Sequence, residues 1–188
     1  MRKIGLVLAL LLASCSSTKT YTYILSAVPP EQPARSGLAL RPPIEVGEVA
    51  IPATLDRDEI VLAAPGDRLD VEGTSVWGAP IRQLIRRALS DDLAARLPPG
   101  SVLPPGAEAP SFGLRIVTVN FERFSADTNG RVVLRADWTI ARVDRAPTGL
   151  PHVEQIEVNA QAGTVAAAIP AMSRALGVLA DRIARRIH

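Results

Sequence analysis

The 188-residue sequence is poor in the residues that build disulfides, metal centres and aromatic cores. It has one cysteine and two histidines, and aromatic residues make up 4% of the chain. A single cysteine excludes an intramolecular disulfide, and these three residues supply too few ligands for a structural zinc site. The charge is nearly balanced, because 21 basic residues face 19 acidic ones. Hydrophobic residues form 47% of the sequence, which suits a single folded domain and argues against disorder.

The N-terminus is apolar, but its apolar run is too short to cross a bilayer. Arg2 and Lys3 precede an apolar stretch over residues 4–12, whereas a membrane-spanning helix needs about 20 apolar residues. The pattern therefore predicts a signal peptide. The string Leu-Ala-Ser-Cys that ends at Cys15 resembles the lipobox of bacterial lipoproteins. This resemblance implies cleavage after residue 14 and covalent lipid on Cys15; the alternative is an ordinary signal peptide that leaves a free thiol.

The residues around the predicted cleavage site also predict a compartment. Ser16, rather than an aspartate, follows the cysteine and is similar to the pattern sorted to the outer membrane of Gram-negative cells. We expect a signal peptide over 1–14, a lipid anchor and short tether over 15–20, and one domain over 21–188 on the periplasmic face of that membrane. Loss of Arg2 and Lys3 removes the formal charge of +2. Neither the mature charge nor the compartment suits a nucleic-acid partner.

Hydrophobic periodicity predicts an α+β fold. Strands are predicted over 21–25, 44–55, 112–124, 132–140 and 155–162, with a hairpin that joins 60–63 to 69–72. Apolar residues at helical spacing predict helices over 80–97 and 165–187. Residues 98–110 are rich in proline and predict a loop. This order predicts a single domain with a mostly antiparallel, mixed sheet and two amphipathic helices packed on one of its faces.

The sequence carries no catalytic motif that we could identify. His152 and His188 have no motif around them and are predicted to be solvated surface residues. Asp91 and Asp92 are predicted on the outer face of the first helix, where charge is ordinary. The sequence therefore favours a protein that is not an enzyme. No cofactor is expected apart from the lipid on Cys15.

Two sequence features are compatible with a surface that binds a partner. The first helix carries four arginines on its polar side: Arg82, Arg86, Arg87 and Arg96. They form either a solvated face of mixed charge or a surface for a partner or anionic lipid. Trp77, just before this helix, is either a core residue or an exposed anchor for a partner. Trp77, Arg82 and Arg86 are the candidate partner surface, whereas Trp138 is expected in the core with its indole N–H bonded to one acceptor.

Several strings in fixed order carry a family resemblance. They are Tyr21–Ser26 after the lipobox, the pattern V-x-I-P-x-x-L-D-R-x-x-I-V that ends at Val61, the helix that opens with Trp-Gly-Ala-Pro-Ile at Trp77, Val117–Glu122, and Ala136–Trp138. Together these strings are similar to those of the PqiC/YmbA family of ABC-type transport auxiliary lipoproteins. The resemblance covers nearly the whole mature chain.

The resemblance implies a function without catalysis. It implies a periplasmic domain that is anchored in the outer membrane and docks an MCE-domain tunnel protein of an intermembrane lipid transport system. Such docking favours a homo-oligomer, for example a ring. Cys15 is the only residue to which the resemblance assigns a role, namely that of the lipidated residue. The first alternative is a periplasmic lipid-binding shuttle. The second is a lipoprotein regulator of an envelope enzyme, which the short tether disfavours. A more remote alternative is that the protein is itself an enzyme.

Overall fold

The computed structural model describes residues 19–30, 37–145 and 150–187. The predicted signal peptide, Cys15 and His188 lie outside these ranges. The strands are β1 (Tyr21–Tyr23), β2 (Ile44–Ala50), β3 (Glu59–Ala64), β4 (Arg68–Trp77), β5 (Val102–Leu103), β6 (Arg115–Asp127), β7 (Arg131–Arg142) and β8 (His152–Asn159). The helices are α1 (Ile81–Ala94), between β4 and β5, and α2 (Val165–Arg186), after β8. No helix in the described ranges is long and apolar enough to cross a membrane.

All eight strands belong to one mixed sheet that is organised around β6. One edge of β6 pairs with β7 along almost its whole length, and β7 pairs in turn with β8. The other edge is shared, because β2 pairs with the first half of β6 and β3 with its end. The long ladders, β3–β4, β6–β7 and β7–β8, are antiparallel, whereas β1–β4, β2–β5, β2–β6 and β3–β6 are shorter and parallel. The α+β prediction is confirmed.

The two helices bury their apolar stripes against this sheet. Ile85, Leu89 and Leu93 of α1 are fully buried, and so are Leu176 and Leu179 of α2. Both stripes follow the spacing that places residues on one helical face. They join the buried residues of β6 and β7 in one hydrophobic core.

Local capping explains where α2 begins and ends. The Thr164 side chain accepts a hydrogen bond from the backbone N–H of Ala167, which satisfies one of the free donors at the helix N-terminus. Arg185 and Arg186 lie in the last turn, where positive charge is favourable beside the free carbonyl groups. The predicted helix over 165–187 is thereby confirmed to within one residue.

The structure moves several predicted boundaries. β1 ends at Tyr23 and β2 at Ala50, short of the predicted ends, whereas β4 runs on to Trp77. α1 ends at Ala94, and the predicted loop over 98–110 contains the two-residue β5. β6 begins at Arg115, three residues after the predicted start. β8 spans 152–159 instead of 155–162, because its ladder with β7 starts where His152 pairs with Trp138.

One end of the sheet is closed by a tight contact at Gly163, in the loop between β8 and α2. A Cβ atom at this position would overlap the carbonyl oxygen of Thr128 in the turn between β6 and β7. By contrast, a Cβ atom at Gly73 in β4 would have no atom within 4 Å. Gly163 therefore allows the backbone of the loop before α2 to pack directly on the β6–β7 turn.

We expect Gly163→Ala to lower the free energy of unfolding by about 1–3 kcal/mol, as overpacking typically does. The methyl group would displace a backbone segment rather than a flexible side chain. Gly73→Ala is the matched control and should change stability by less than about 0.5 kcal/mol. Thermal or urea unfolding of the two variants checks this, and equal stabilities would contradict the contact.

Candidate functional site

The described residues present no cluster of metal ligands. No group of three or more His, Cys, Asp and Glu side chains in the described ranges is arranged to hold a metal ion. The His152 ring is half-buried and lies 4.4 Å from the Trp138 ring, centroid to centroid, instead of standing free in solvent. Trp138 is buried as predicted, but its indole N–H has no hydrogen-bond acceptor among the described residues.

Arg82, one of the three residues of the predicted partner surface, forms an exposed ion pair. Its guanidinium donates to both carboxylate oxygens of Asp56, with Nε–Oδ1 and Nη2–Oδ2 distances of 3.2 and 2.8 Å. This hydrogen bonding holds the pKa of Asp56 below its usual value. Both side chains keep almost half of their surface in solvent. An exposed pair of this kind contributes little to stability, so Arg82 is free to exchange Asp56 for another anionic group.

Arg86 has a structural role inside the domain. Its Nη2 lies 2.9 Å from Oε1 of the buried Glu45, and its Nε donates to the carbonyl oxygen of Val46. The same Glu45 oxygen accepts the backbone N–H of Gly106 at 2.8 Å. Arg86 and Glu45 therefore join α1, β2 and the 98–110 segment, and the charges of both residues are largely satisfied within the chain.

Trp77 belongs to the hydrophobic core, with 9% of its surface exposed. Its backbone N–H donates to the carbonyl oxygen of Asp58, which ties the end of β4 to the start of β3. Of the two interpretations of Trp77, the structure supports the core residue and not the exposed anchor. Trp77, Arg82 and Arg86 do not form one exposed surface, and their contact with a partner stays a prediction.

The main charged cluster of the domain lies elsewhere, between α1 and α2. Asp92 was predicted on the outer face of α1, but the prediction is wrong: Asp92 is fully buried and so is Arg96. Arg96 Nε lies 2.7 Å from Oδ1 of Asp181 in α2, and Arg96 Nη1 lies 3.1 Å from Oδ1 of Asp92. One guanidinium therefore bridges a carboxylate on each helix.

These charges are buried because the chain that follows β1 covers them. We call residues 24–30 the N-terminal strap. The backbone N–H of Val28 donates to Oδ1 of Asp92 at 2.8 Å, and the Val28 carbonyl oxygen accepts from Arg96. The Ser26 N–H donates to the Ser173 hydroxyl oxygen. The strap is thus fixed to both helices by main-chain hydrogen bonds, two of which involve charged side chains.

A glycine in the middle of α2 makes room for the strap. A Cβ atom at Gly177 would lie 3.3 Å from Cβ of Val28 and 3.2 Å from Nη2 of Arg96. A glycine inside a helix costs about 1 kcal/mol relative to alanine, so its presence there is a sequence signal for a close approach. Together with the i, i+4 spacing of Asp92 and Arg96, that signal was available in the sequence and was missed.

Burial sets the ionisation of Asp92. Removal from water raises the pKa of this carboxyl to about 6, and the Val28 N–H and Arg96 oppose the rise only in part. Its second oxygen, Oδ2, has no hydrogen-bond partner in the described part of the chain. The cluster therefore contains a carboxyl group that changes protonation in a mildly acidic range.

A second feature that sequence reasoning missed is an open groove beside β3 and β4. Its volume is about 390 Å³. Its lining residues come from four segments: Pro52, Thr54 and Leu55; Val61, Ala63 and Ala64; Asp67, Arg68 and Leu69; and Glu122, Arg123, Phe124 and Ser125. It lies beside the middle of β6, between the stretch that pairs with β2, which ends at Asn120, and the stretch that pairs with β3, which begins at Ala126. We call it the hairpin groove.

The hairpin is apolar on both faces. Ile60 and Leu62 point into the core and are almost fully buried. On the opposite face, Val61 pairs with Val71 and Ala63 pairs with Leu69, and the two β4 residues are 48% and 42% exposed. A run of apolar residues without alternation is typical of a strand covered on both sides. β3 has such a run, yet its outward face, with Val61 and Ala63, is only partly covered by the described residues.

Comparison with known proteins supports the fold and the family. The sequence profile described as "ABC-type transport auxiliary lipoprotein component" matches residues 23–184. The chain belongs to this family. The resemblance to PqiC/YmbA proteins is thereby confirmed, and the match begins inside β1 and ends near the end of α2. Among curated proteins, none matches the sequence.

Two solved structures share the fold of this auxiliary lipoprotein. A crystal structure of an uncharacterized protein superposes with a TM-score of 0.72 at 16% identity and covers 91% of this chain and 100% of its own. Protein XCC0632 from Xanthomonas campestris, assigned to the DUF330 family, superposes with a TM-score of 0.65 at 12% identity, covering 87% of this chain and 92% of its own. At these identities the likeness concerns the fold alone.

We expect Arg96→Met to lower the free energy of unfolding by about 3–5 kcal/mol, because it leaves the buried carboxylate of Asp92 and the partly buried one of Asp181 without their shared cation. Arg87→Met, on the exposed side of the same helix, is the control. Its side chain is 84% exposed and lies 3.9 Å from Asp91, so its loss should cost less than about 1 kcal/mol. Chemical denaturation measures both. A similar small effect of the two substitutions would show that the two carboxylates do not depend on Arg96 for their compensation.

The raised pKa of Asp92 predicts a pH-dependent difference between the wild type and Asp92→Asn. Between pH 4 and 6 the folded state keeps a proton that the unfolded chain has lost, so this group's contribution to stability decreases as pH rises through about 6. Relative to Asp92→Asn, the wild type should therefore gain up to about 3 kcal/mol when pH falls from 7 to 4. Urea unfolding across this range provides the measurement, and parallel stability curves for the two proteins would contradict it.

Proposed function

We propose that this protein is an outer-membrane-anchored, periplasmic accessory subunit of an MCE/ABC-type intermembrane lipid transport system, where it docks the tunnel protein. The observation that carries the proposal is the family match over residues 23–184, since the family consists of auxiliary lipoproteins of ABC-type transport. The lipobox that ends at Cys15 and the serine at position 16 support the anchor and its membrane.

The way the strap is fixed supports an anchoring role. Six residue steps lead from Cys15 to Tyr21, and an extended chain of this length spans at most about 20 Å. The domain would therefore lie close to the membrane. A pull on the lipid is transmitted through β1 to the strap, which Asp92 and Arg96 hold on the helices. An accessory subunit that holds a large partner at a membrane needs such a connection between its anchor and its core.

Docking onto a tunnel made of several subunits favours a homo-oligomer, because equal subunits present repeated contacts to a symmetric partner. Arg82 and its exposed neighbour Asp56 remain candidates for such contacts. The exposed pair would change partners at little cost, whereas Arg86 and Trp77 are engaged within the domain.

The cavity that the described residues form between the sheet and the helices gives no support to the alternative of a lipid-binding shuttle. The cavity at the interface of sheet and helices, lined by Leu55, Trp77 and Met172 among others, has a volume of about 10 Å³. That is roughly the space needed for one water molecule and is far too small for an acyl chain. Docking therefore accounts better for a core that is closely packed.

The anchor is tested by cell fractionation with two substitutions. Cys15→Ala should remove the lipid and deplete the protein from the outer-membrane fraction. Ser16→Asp should keep the lipid but shift the protein to the inner membrane, and Ser17→Asp is the matched control that should remain in the outer membrane. Metabolic labelling with a radioactive fatty acid reports lipidation of each variant. Unchanged fractionation of Cys15→Ala would contradict the anchor.

The docking role is tested by affinity purification of the lipidated protein after crosslinking in cells. We expect an MCE-domain protein to co-purify with the wild type and with Ser17→Asp, and to be depleted with Cys15→Ala. Light scattering of the detergent-solubilised protein should show more than one subunit. Recovery without any MCE-domain protein, in a strain that encodes one beside this chain, would contradict the docking role.

A further inference from the structure

The outward face of the β3–β4 hairpin is unusual for a strand pair that faces water. Val61, Ala63, Leu69 and Val71 lie side by side on it, and Leu69 and Val71 are about half exposed. A solvated sheet face normally carries polar residues at these positions. A contiguous apolar patch on a protein surface marks a contact with another apolar surface.

The direction of β1 places this face at the end of the domain from which the lipid anchor leaves. β1 runs parallel to β4, with Tyr21 beside Ser75 and Tyr23 beside Trp77. The chain before Tyr21 therefore leaves β1 toward the start of β4 and the hairpin turn at 65–67. The β6–β7 turn lies at the same end, where the Thr128 N–H donates to a carbonyl oxygen of β3.

The length of the tether then determines how far this end stands from the membrane. Six residue steps lead from Tyr21 back to Cys15, and they span at most about 20 Å when fully extended. Six steps also lead along β4 from Ser75 back to Leu69, about the same distance in a strand. The lipidated residue thus reaches no farther than Leu69 along this direction. A tether that is less than fully extended draws the hairpin onto the bilayer.

The charges that line the hairpin groove balance in sign, because Asp67 and Glu122 face Arg68 and Arg123, so they neither attract nor repel a membrane strongly. Arg68 binds Asp70 at 2.8 Å, and Glu122 binds Arg135 at 2.7 Å. Arg123 donates to the hydroxyl oxygen of Ser125. An apolar patch with a balanced polar rim is suited to the boundary between lipid headgroups and acyl chains.

We propose that the outward face of the β3–β4 hairpin is a membrane-contact surface that lies on the inner leaflet of the anchoring membrane. Leu69 and Val71 enter the interface, and the hairpin groove opens along the lipid surface. The contact fixes the orientation of the domain, so that the β7–β8 end, with exposed Leu150 and Val153, points away from the membrane. This proposal rests on the lipid anchor proposed at Cys15.

The sequence allows a clean test, because Cys15 is its only cysteine and the lipid blocks it. Leu69→Cys and Val71→Cys each carry an environment-sensitive NBD label on the full lipidated protein, and Val153→Cys carries the same label at the far end. The proteins are reconstituted in vesicles of phosphatidylethanolamine and phosphatidylglycerol. Lipids with a nitroxide near the top of the acyl chain act as the quencher.

We expect the labels at 69 and 71 to shift to shorter emission wavelengths on reconstitution and to lose intensity with the nitroxide lipid, whereas the label at 153 stays in water. Equal emission and quenching at 69, 71 and 153 would overturn the contact. A label at 69 on the unlipidated Cys15→Ala protein that is shielded to the same degree in buffer without detergent or vesicles would also overturn it, because a second copy of the chain would then cover the face.

Flotation of the vesicles separates this proposal from the one on which it rests. Protein that floats with the vesicles but shows no quenching at 69 and 71 refutes the contact and leaves the anchor intact. Protein that stays at the bottom of the gradient refutes the anchor and with it the contact. Circular dichroism that matches the wild type shows that the labelled variants are folded.

Discussion

The arrangement of the helices and the N-terminal strap depends on the buried guanidinium of Arg96. It donates to carboxylates on both helices and to a main-chain carbonyl of the strap. Charges taken out of water are tolerated only when hydrogen bonds replace their hydration, so each acceptor requires the others to be in place. Among the described residues, Oδ2 of Asp92 has no hydrogen-bond partner, and burial raises the pKa of Asp92 to about 6, so the compensation is incomplete. The cluster thus makes the position of the strap specific more than it adds stability.

This constraint connects the N-terminal segment of the described chain to the core. β1 has only three residues and adds a short parallel ladder at the end of β4, which alone would hold the N-terminal segment weakly. The strap continues from β1 across the helices, where Leu25 enters the core and Gly177 allows the main chain to approach α2. Sheet, helices and N-terminal strap therefore form one mechanical unit, which is what the proposed anchoring role requires.

Local patterns in the sequence predict those elements whose partners are near in the chain. The helical stripes of α1 and α2 and the strands β6 and β7 follow from periodicity, because neighbouring residues decide them. The short β5 exists only because β2 is beside it. Helical spacing predicts Asp92 on the outer face and Arg96 on the polar side of the first helix, because spacing alone does not show what covers a polar stripe. The cover comes from Val28, 64 residues away from Asp92.

The same reasoning applies to the candidate surfaces. The apolar run of β3 indicates two covered faces, but the sequence alone gives no register with β4, so the exposed pairs with Leu69 and Val71 were not foreseen. At the opposite edge of the sheet, β8 pairs only with β7 in the described part of the chain, and an open edge invites unwanted strand pairing.

Two arginines of α2 protect that edge. Arg182 donates to the carbonyl oxygen of Gln155 and Arg174 to that of Asn159. Eight residues apart, they lie on the same face of α2, so the helix covers the edge along most of its length. No described residue protects the outward face of the hairpin in this way. A fold that closes one edge against nonspecific pairing yet leaves an apolar face open beside its proposed anchor is consistent with a lipid surface, rather than solvent, as the normal environment of that face.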